Sequence, residues 1–166
     1  KSVGIPEYFS RQLTQDYIPV AVMRTVYRET HPFNVDSKTL LDMMIQSGKE
    51  MYYLSKVLPF VQEHTRLAYS PEQLNWCNEN EAMVYDFFVK QELLYENNLQ
   101  KVIRYVMDGP SATAMPGESP GNIGAYTGYK IVAAYMQQHP EISLKELVEQ
   151  PIDAPRFLME SKYKPK

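Results

Sequence analysis

The chain has 166 residues, 44% hydrophobic, 12% aromatic and 22% charged, enough for one compact domain with a real core. Its formal net charge of −3 gives no electrostatic case for nucleic acid, whose phosphates are met by a clustered excess of Lys and Arg; the tail Lys162, Lys164, Lys166 is too short to change that. No run approaches the ~20 apolar residues that span a bilayer, and the opening Lys1-Ser-Val-Gly-Ile-Pro6 lacks the apolar centre of a secretory signal.

Helix signals follow in chain order. His31 precedes Pro32 and is expected at a helix end, where a cationic imidazole favours the negative pole. Asp36 or Ser37 is placed to cap a helix from Lys38 to about Val57, with Pro59 just beyond its end. Ser70-Pro71-Glu72-Gln73 supplies an N-cap hydroxyl, a first-turn proline and a glutamine three residues on, opening a helix that the pattern carries to about Tyr95. The fourteen residues Asp108 to Gly121 hold three prolines and three glycines. They form a long irregular loop, either the border of a binding site or an exposed connection. Ser119-Pro120 is expected to open the next helix, His139-Pro140 to close it, and Ser143-Leu-Lys-Glu146 to cap one more. Alternating β-branched runs bounded by turns are missing. The predicted fold is all-α, a compact multi-helix domain over residues 1–166.

Leu40, Met44, Met51, Leu54 and Leu58 follow the spacing of a buried stripe, as do Leu74, Cys77, Val84 and Phe88. Gly124 and Gly128 share one face inside a helical pattern. Each costs about 1 kcal/mol against Ala, so a neighbouring backbone or ligand is expected to come close there, and Gly48 reads the same way. Tyr126 and Tyr129 lie beside that face and are the candidates for lining a groove. Tyr52, Tyr53, Tyr85 and Tyr135 read as core rings.

Glu81 interrupts the second stripe and is the candidate buried acid. A carboxylate pointing inward must meet a cation, hydrogen-bond donors or a metal, or take up a proton; Lys49 is one candidate partner. Glu79 lies off the stripe and is expected in water, as are Asp16, Glu29 and Glu50. Cys77 is the only cysteine and reads as a small buried hydrophobe with no histidine near it in sequence. His31, His64 and His139 stand at wide intervals, His139 at a helix end and His64 exposed. No phosphate loop surrounds Gly48-Lys49, no nucleophile elbow occurs, and no catalytic residue or metal-ligand spacing is assigned.

Ser119-Pro-Gly-Asn-Ile-Gly-Ala-Tyr-Thr-Gly-Tyr-Lys-Ile-Val132, Leu74-Asn-Trp-Cys-Asn-Glu-Asn-Glu81, Gly48-Lys-Glu-Met-Tyr52 with Leu58-Pro59, and Ser161-Lys-Tyr-Lys-Pro-Lys166 together resemble the GldB family of gliding-motility lipoproteins. The resemblance runs almost end to end and corresponds to the C-terminal half of the family pattern. In full, that pattern is similar to zinc-dependent peptidases in which a His-Glu-x-x-His helix precedes a later glutamate. Glu81 is the position here that matches the glutamate, and a zincin-like C-terminal helical half is implied; the His-Glu-x-x-His helix itself has no counterpart in the chain. The resemblance implies a non-catalytic domain of a bacterial cell-envelope lipoprotein, periplasm-facing or membrane-anchored by a lipid on a segment outside this chain. Its partners would be envelope, motility or secretion proteins, with no cofactor and no nucleic acid. The alternative it implies is a metal-dependent hydrolase whose zinc helix lies outside the chain, with Glu81 as third ligand.

Overall fold

A computed structural model describes residues 4–166 as helices and loops, with no strand among them. The reading of Lys1-Ser-Val-Gly-Ile-Pro6 rests partly on residues 1–3, which lie outside the described residues. In order the helices are α1 (Glu7–Ser10), α2 (Ile18–Thr30), α3 (Leu40–Val57), α4 (Glu63–Leu67), α5 (Pro71–Glu79), α6 (Glu81–Lys90), α7 (Leu99–Val102), α8 (Ile123–Gln138), α9 (Leu144–Glu149) and α10 (Ala154–Ser161).

Helix α3 is capped by Thr39, not by Asp36 or Ser37. Thr39 Oγ1 accepts from the Asp42 amide (3.2 Å) while Asp42 Oδ2 accepts from the Thr39 amide (2.9 Å), a reciprocal box that satisfies donors at the helix start. The next amides are taken by the loop after α6: Leu40 donates to Glu96 O and Leu41 to Leu94 O. Ser37 is left outside in a left-handed conformation at φ 59°.

The helix expected from Pro71 to about Tyr95 is two helices. Its start is as the cap predicts, Ser70 and Gln73 exchanging hydrogen bonds. At Asn80 (φ −118°, ψ 20°) the chain leaves helical geometry, and both the Asn80 amide and its side-chain Nδ2 donate to Trp76 O. The second helix stops at Lys90; Glu92 turns left-handed at φ 54° and Leu93 donates back to Phe88 O, closing the C-terminus.

The glycine-bearing helix begins at Ile123, not at Pro120. Asn122, at φ 54°, makes the turn into it, and Ser119 is buried in the preceding loop with its hydroxyl donating to Pro116 O (2.6 Å). That loop is folded on itself: Ala112 donates to Ser119 O, and a Cβ on Gly121 would fall 2.4 Å from Gly109 N, so its two ends touch.

Helices α3 and α8 pack on one another more extensively than any other pair, and α10 packs across α8. Gly48 and Gly128 face each other at the crossing. A Cβ on Gly128 would sit 1.7 Å from Met44 O, and one on Gly48 2.2 Å from Gly128 O; a Cβ on Gly124 would meet Tyr105 O at 2.8 Å. Only bare backbone fits there. Helix α3 is consequently enclosed nearly all round, burying Leu40, Met44, Met51 and Leu54 of the predicted stripe together with Leu41, Met43 and Ile45. Val84 and Phe88 of α6, Ile131 and Val132 of α8 and Phe157 of α10, which stacks on Tyr135 at 3.9 Å, join the same core.

Candidate functional site

The break at Asn80 places Glu81 in the first turn of α6, where backbone amides favour a carboxylate. Glu81 is buried, and its partners are phenols: Tyr163 donates to Oε1 at 2.9 Å and Tyr126 approaches Oε2 at 3.5 Å. Burial first, then the charge of Glu81, pushes both hydroxyls far above the ordinary tyrosine range. This cluster ties the C-terminal tail to α6, a link reinforced by the Ala82 amide donating to Lys166 O (3.2 Å). Among the described residues no three His, Cys, Asp or Glu side chains gather as a metal-ligand group.

Tyr126 does not line a groove. It is fully buried, its hydroxyl lying within reach of Cys77 O (3.1 Å) and Asn78 Oδ1 (3.0 Å), and Tyr129 is half-buried against the core. The glycine face beside them is closed by α3, the close backbone approach that Gly48 and Gly128 lead one to expect, and it leaves no groove there. Cys77 is buried, and burial pushes its thiol up to about 12. His31 and His139 are the C-caps of α2 and α8, each against a tyrosine ring one turn back, Tyr27 at 4.9 Å and Tyr135 at 4.3 Å. His64 is half-buried in α4 rather than exposed.

Two charges on α3 depart furthest from the sequence reading. Glu50 is buried, not solvated. Arg24 Nε lies 2.8 Å from its Oε1, close enough for an ion pair though out of line for a hydrogen bond, and Arg28 Nε donates to Oε2 at 2.7 Å. Arg24 also donates to Tyr17 (2.6 Å) and to Arg66 O (2.9 Å), which fixes its guanidinium between α2 and α4. Burial works against the charge of Arg28, but the hydrogen bond and charge of Glu50 outweigh it and hold the guanidinium above its usual value. Lys49 does not pair with Glu81. It is 1% exposed and donates to Gln150 O, just past α9, at 2.7 Å, and burial pushes it down to about 8.

These side chains border two cavities beside the segment His31-Pro32-Phe33 that leaves α2. The first, about 460 Å³, has Arg28, Gln46, Ser47 and Glu50 on its polar wall and Phe33, Met43 and Ile103 among its apolar residues. The second, about 590 Å³, shares His31, Pro32, Phe33 and Gln46 with the first and runs to the end of α9, taking in Lys49 and Gln150. Tyr27 lies buried beside this region with no well-formed hydrogen bond to its hydroxyl among the described residues; burial first, then Glu50, holds it above the ordinary range against a smaller opposing effect of the nearby Gln46. Two arginines against one carboxylate, with Lys49 nearby, make the region cationic and rich in donors. The sequence of α3 carries no signal for it: Asp42, Gln46, Lys49, Glu50 and Lys56 share one polar side of the helix, which reads as solvated until α2 and the end of α9 are packed over Lys49 and Glu50.

On the outer face of α2, Ile18, Val22 and Val26 are 59%, 55% and 44% exposed at successive four-residue steps, an apolar row turned to solvent. No helix among the described residues is long and apolar enough to cross a membrane. In comparisons with known proteins, no curated protein and no solved structure matches the chain. The family described as gliding motility protein GldB matches residues 1–165, and the chain therefore belongs to the GldB family.

Proposed function

We propose that this chain is a non-catalytic helical domain of a GldB-type lipoprotein, held at a bacterial envelope membrane by a lipid on a segment outside residues 1–166, and that its work is protein contact within the gliding or associated secretion machinery. The observation that carries this reading is the family match over residues 1–165. The close-packed α3 and α8 pair supplies rigidity, and the Ile18, Val22 and Val26 row supplies a contact face that the domain itself does not cover. Tyr126 and Tyr129 are replaced in that role, since Tyr126 belongs to the core and Tyr129 is half-buried against it. In the envelope machinery the row would receive an apolar strip of a partner protein, with the exposed Glu29 on the same side of the helix as a polar neighbour at its end.

The test is genetic and biochemical together. In a gliding bacterium that depends on this gene, Ile18, Val22 and Val26 are changed jointly to Asp, and colony spreading, envelope level and melting temperature are measured. Spreading is expected to be lost while the protein remains folded and membrane-associated. Undiminished spreading by the triple variant at normal abundance overturns the contact face, and undiminished spreading after removal of residues 1–166 overturns the motility role itself.

A further inference from the structure

Lys49 is 99% enclosed by its surroundings yet only one of its three ammonium donors is used, on Gln150 O at 2.7 Å. No carboxylate pairs with it among the described residues, although a buried ammonium ordinarily requires one. The side-chain Nε2 of the same Gln150 is buried with no hydrogen-bond partner among the described residues. Both residues border the 590 Å³ cavity, so two sets of donors with unused hydrogen-bonding capacity, one of them charged, line one available space. Phe33, Val148, Pro151 and Ile152 give the same cavity an apolar wall.

We propose that this cavity is a carboxylate-binding site, with Lys49 as counter-charge and Gln150 as second donor, for an organic monoanion whose apolar body rests on Phe33 and Ile152. A monoanion fits better than a phosphate dianion. One ammonium supplies one compensating charge at the floor, and Glu149 in the wall opposes further negative charge as much as Lys38 invites it. A carboxylate has two acceptor oxygens side by side, and two donors line this cavity to meet them: the Lys49 ammonium, which rests on the Gln150 backbone carbonyl, and the Gln150 side-chain amide. The source of such a group is either a small organic acid or the C-terminus of a peptide. This assignment stands independently of any role in motility.

The experiment is an NMR titration of the isotope-labelled chain with acetyl-alanyl-alanyl-valine carrying a free carboxylate, with the same peptide as its C-terminal amide, with acetate and with inorganic phosphate, each to about 20 mM because one charge-assisted contact gives millimolar affinity. The free acid is expected to shift the amide signals of Phe33, Lys49 and Gln150 saturably, and the C-terminal amide to bind at least tenfold more weakly. Lys49→Met should remove the response, and Gln150→Met, which keeps the charge, should weaken it several-fold; the melting temperature of each variant shows that the fold is intact. Tighter binding of the peptide acid than of acetate assigns the site to a peptide end, and equal binding assigns it to small acids. No saturable shift, equal response to acid and C-terminal amide, preference for phosphate, or an unchanged response in folded Lys49→Met overturns the proposal.

Discussion

Replacing Gly128 by Ala adds one methyl group at the point where α8 lies closest to α3. That Cβ would be 1.7 Å from Met44 O and 2.5 Å from Met44 C, while ordinary contact begins at 3.4 Å, so the two backbones would have to part by roughly 1.5 Å. Neither neighbour is a flexible side-chain tip; both are main chain inside a capped helix of 18 residues. Two effects oppose. Alanine gains about 1 kcal/mol over glycine in helix propensity and unfolded-chain entropy, whereas forcing apart a packed interface costs about 1–3 kcal/mol for added methylenes in ordinary cores and more where backbone must move. The interface lost here is the largest in the domain, so the net expectation is a loss of about 2–4 kcal/mol. At about 2–4 °C per kcal/mol for a chain of this size, the melting temperature falls by roughly 5–15 °C. Gly117 is the control, because a Cβ there meets nothing within 4 Å; Gly117→Ala should melt within about 2 °C of wild type. Paired calorimetric scans decide the matter. A Gly128→Ala variant as stable as wild type, or more so, would mean that helix propensity outweighs close approach and that the crossing is not what holds the fold.

Glu50→Gln should cost about 3 kcal/mol in denaturant titration, since it leaves Arg24 and Arg28 facing a neutral amide in a half-buried setting. Tyr163→Phe should cost about 1–2 kcal/mol by leaving Glu81 Oε1 without its 2.9 Å donor, and should loosen the C-terminal tail in hydrogen exchange. Cys77, with its thiol pushed up to about 12 by burial, should resist aromatic disulfide reagents in the native chain at neutral pH and react fully in denaturant. Lys49 sets a pH dependence: its folded value of about 8 lies below the unfolded 10.5, so between those values the unfolded chain holds the extra proton and stability rises with pH, by up to about 3 kcal/mol. Lys49→Met should lack that rise and be more stable than wild type at pH 7; a wild-type curve that is flat from pH 8 to 10 refutes the buried ammonium.

Much of the fold was legible because it rests on local rules. Ser70 and Gln73, Ser143 and Glu146, and the proline after His139 mark helix ends that the chain uses as expected, and interior glycines announced a close approach before its partner was known. Cap signals misled where several polar residues competed. Thr39 wins over Asp36 and Ser37 because only Thr39 has Asp42 three residues on to return its hydrogen bond, and Asn122 displaces Ser119 because Gly121 must first lie against Gly109. The helix from Pro71 could not be seen to break, since Asn80 is an unremarkable surface residue in the periodic pattern until its side chain takes Trp76 O.

The candidate site was largely illegible for a different reason. A charge on a helix is read as solvated unless something shows that its face is covered, and what covers Lys49 and Glu50 comes from distant sequence: α2 from one side with Arg24 and Arg28, the end of α9 from the other with Gln150. That covering in turn depends on Gly48. With α8 drawn to backbone contact at Gly48 and α2 and α9 packed on other sides, Lys56 alone of α3 stays fully exposed, and Glu50 and Lys49 are turned into the gaps against α2 and α9. The glycines and the two buried charges are thus one structural fact seen twice, so a variant that parts the α3 and α8 crossing should also hydrate Lys49. Gly128→Ala is therefore expected to return the Lys49 ammonium towards its ordinary value, read by NMR titration of its side chain, and a Lys49 that still titrates near 8 in that variant would show that α9 alone encloses it.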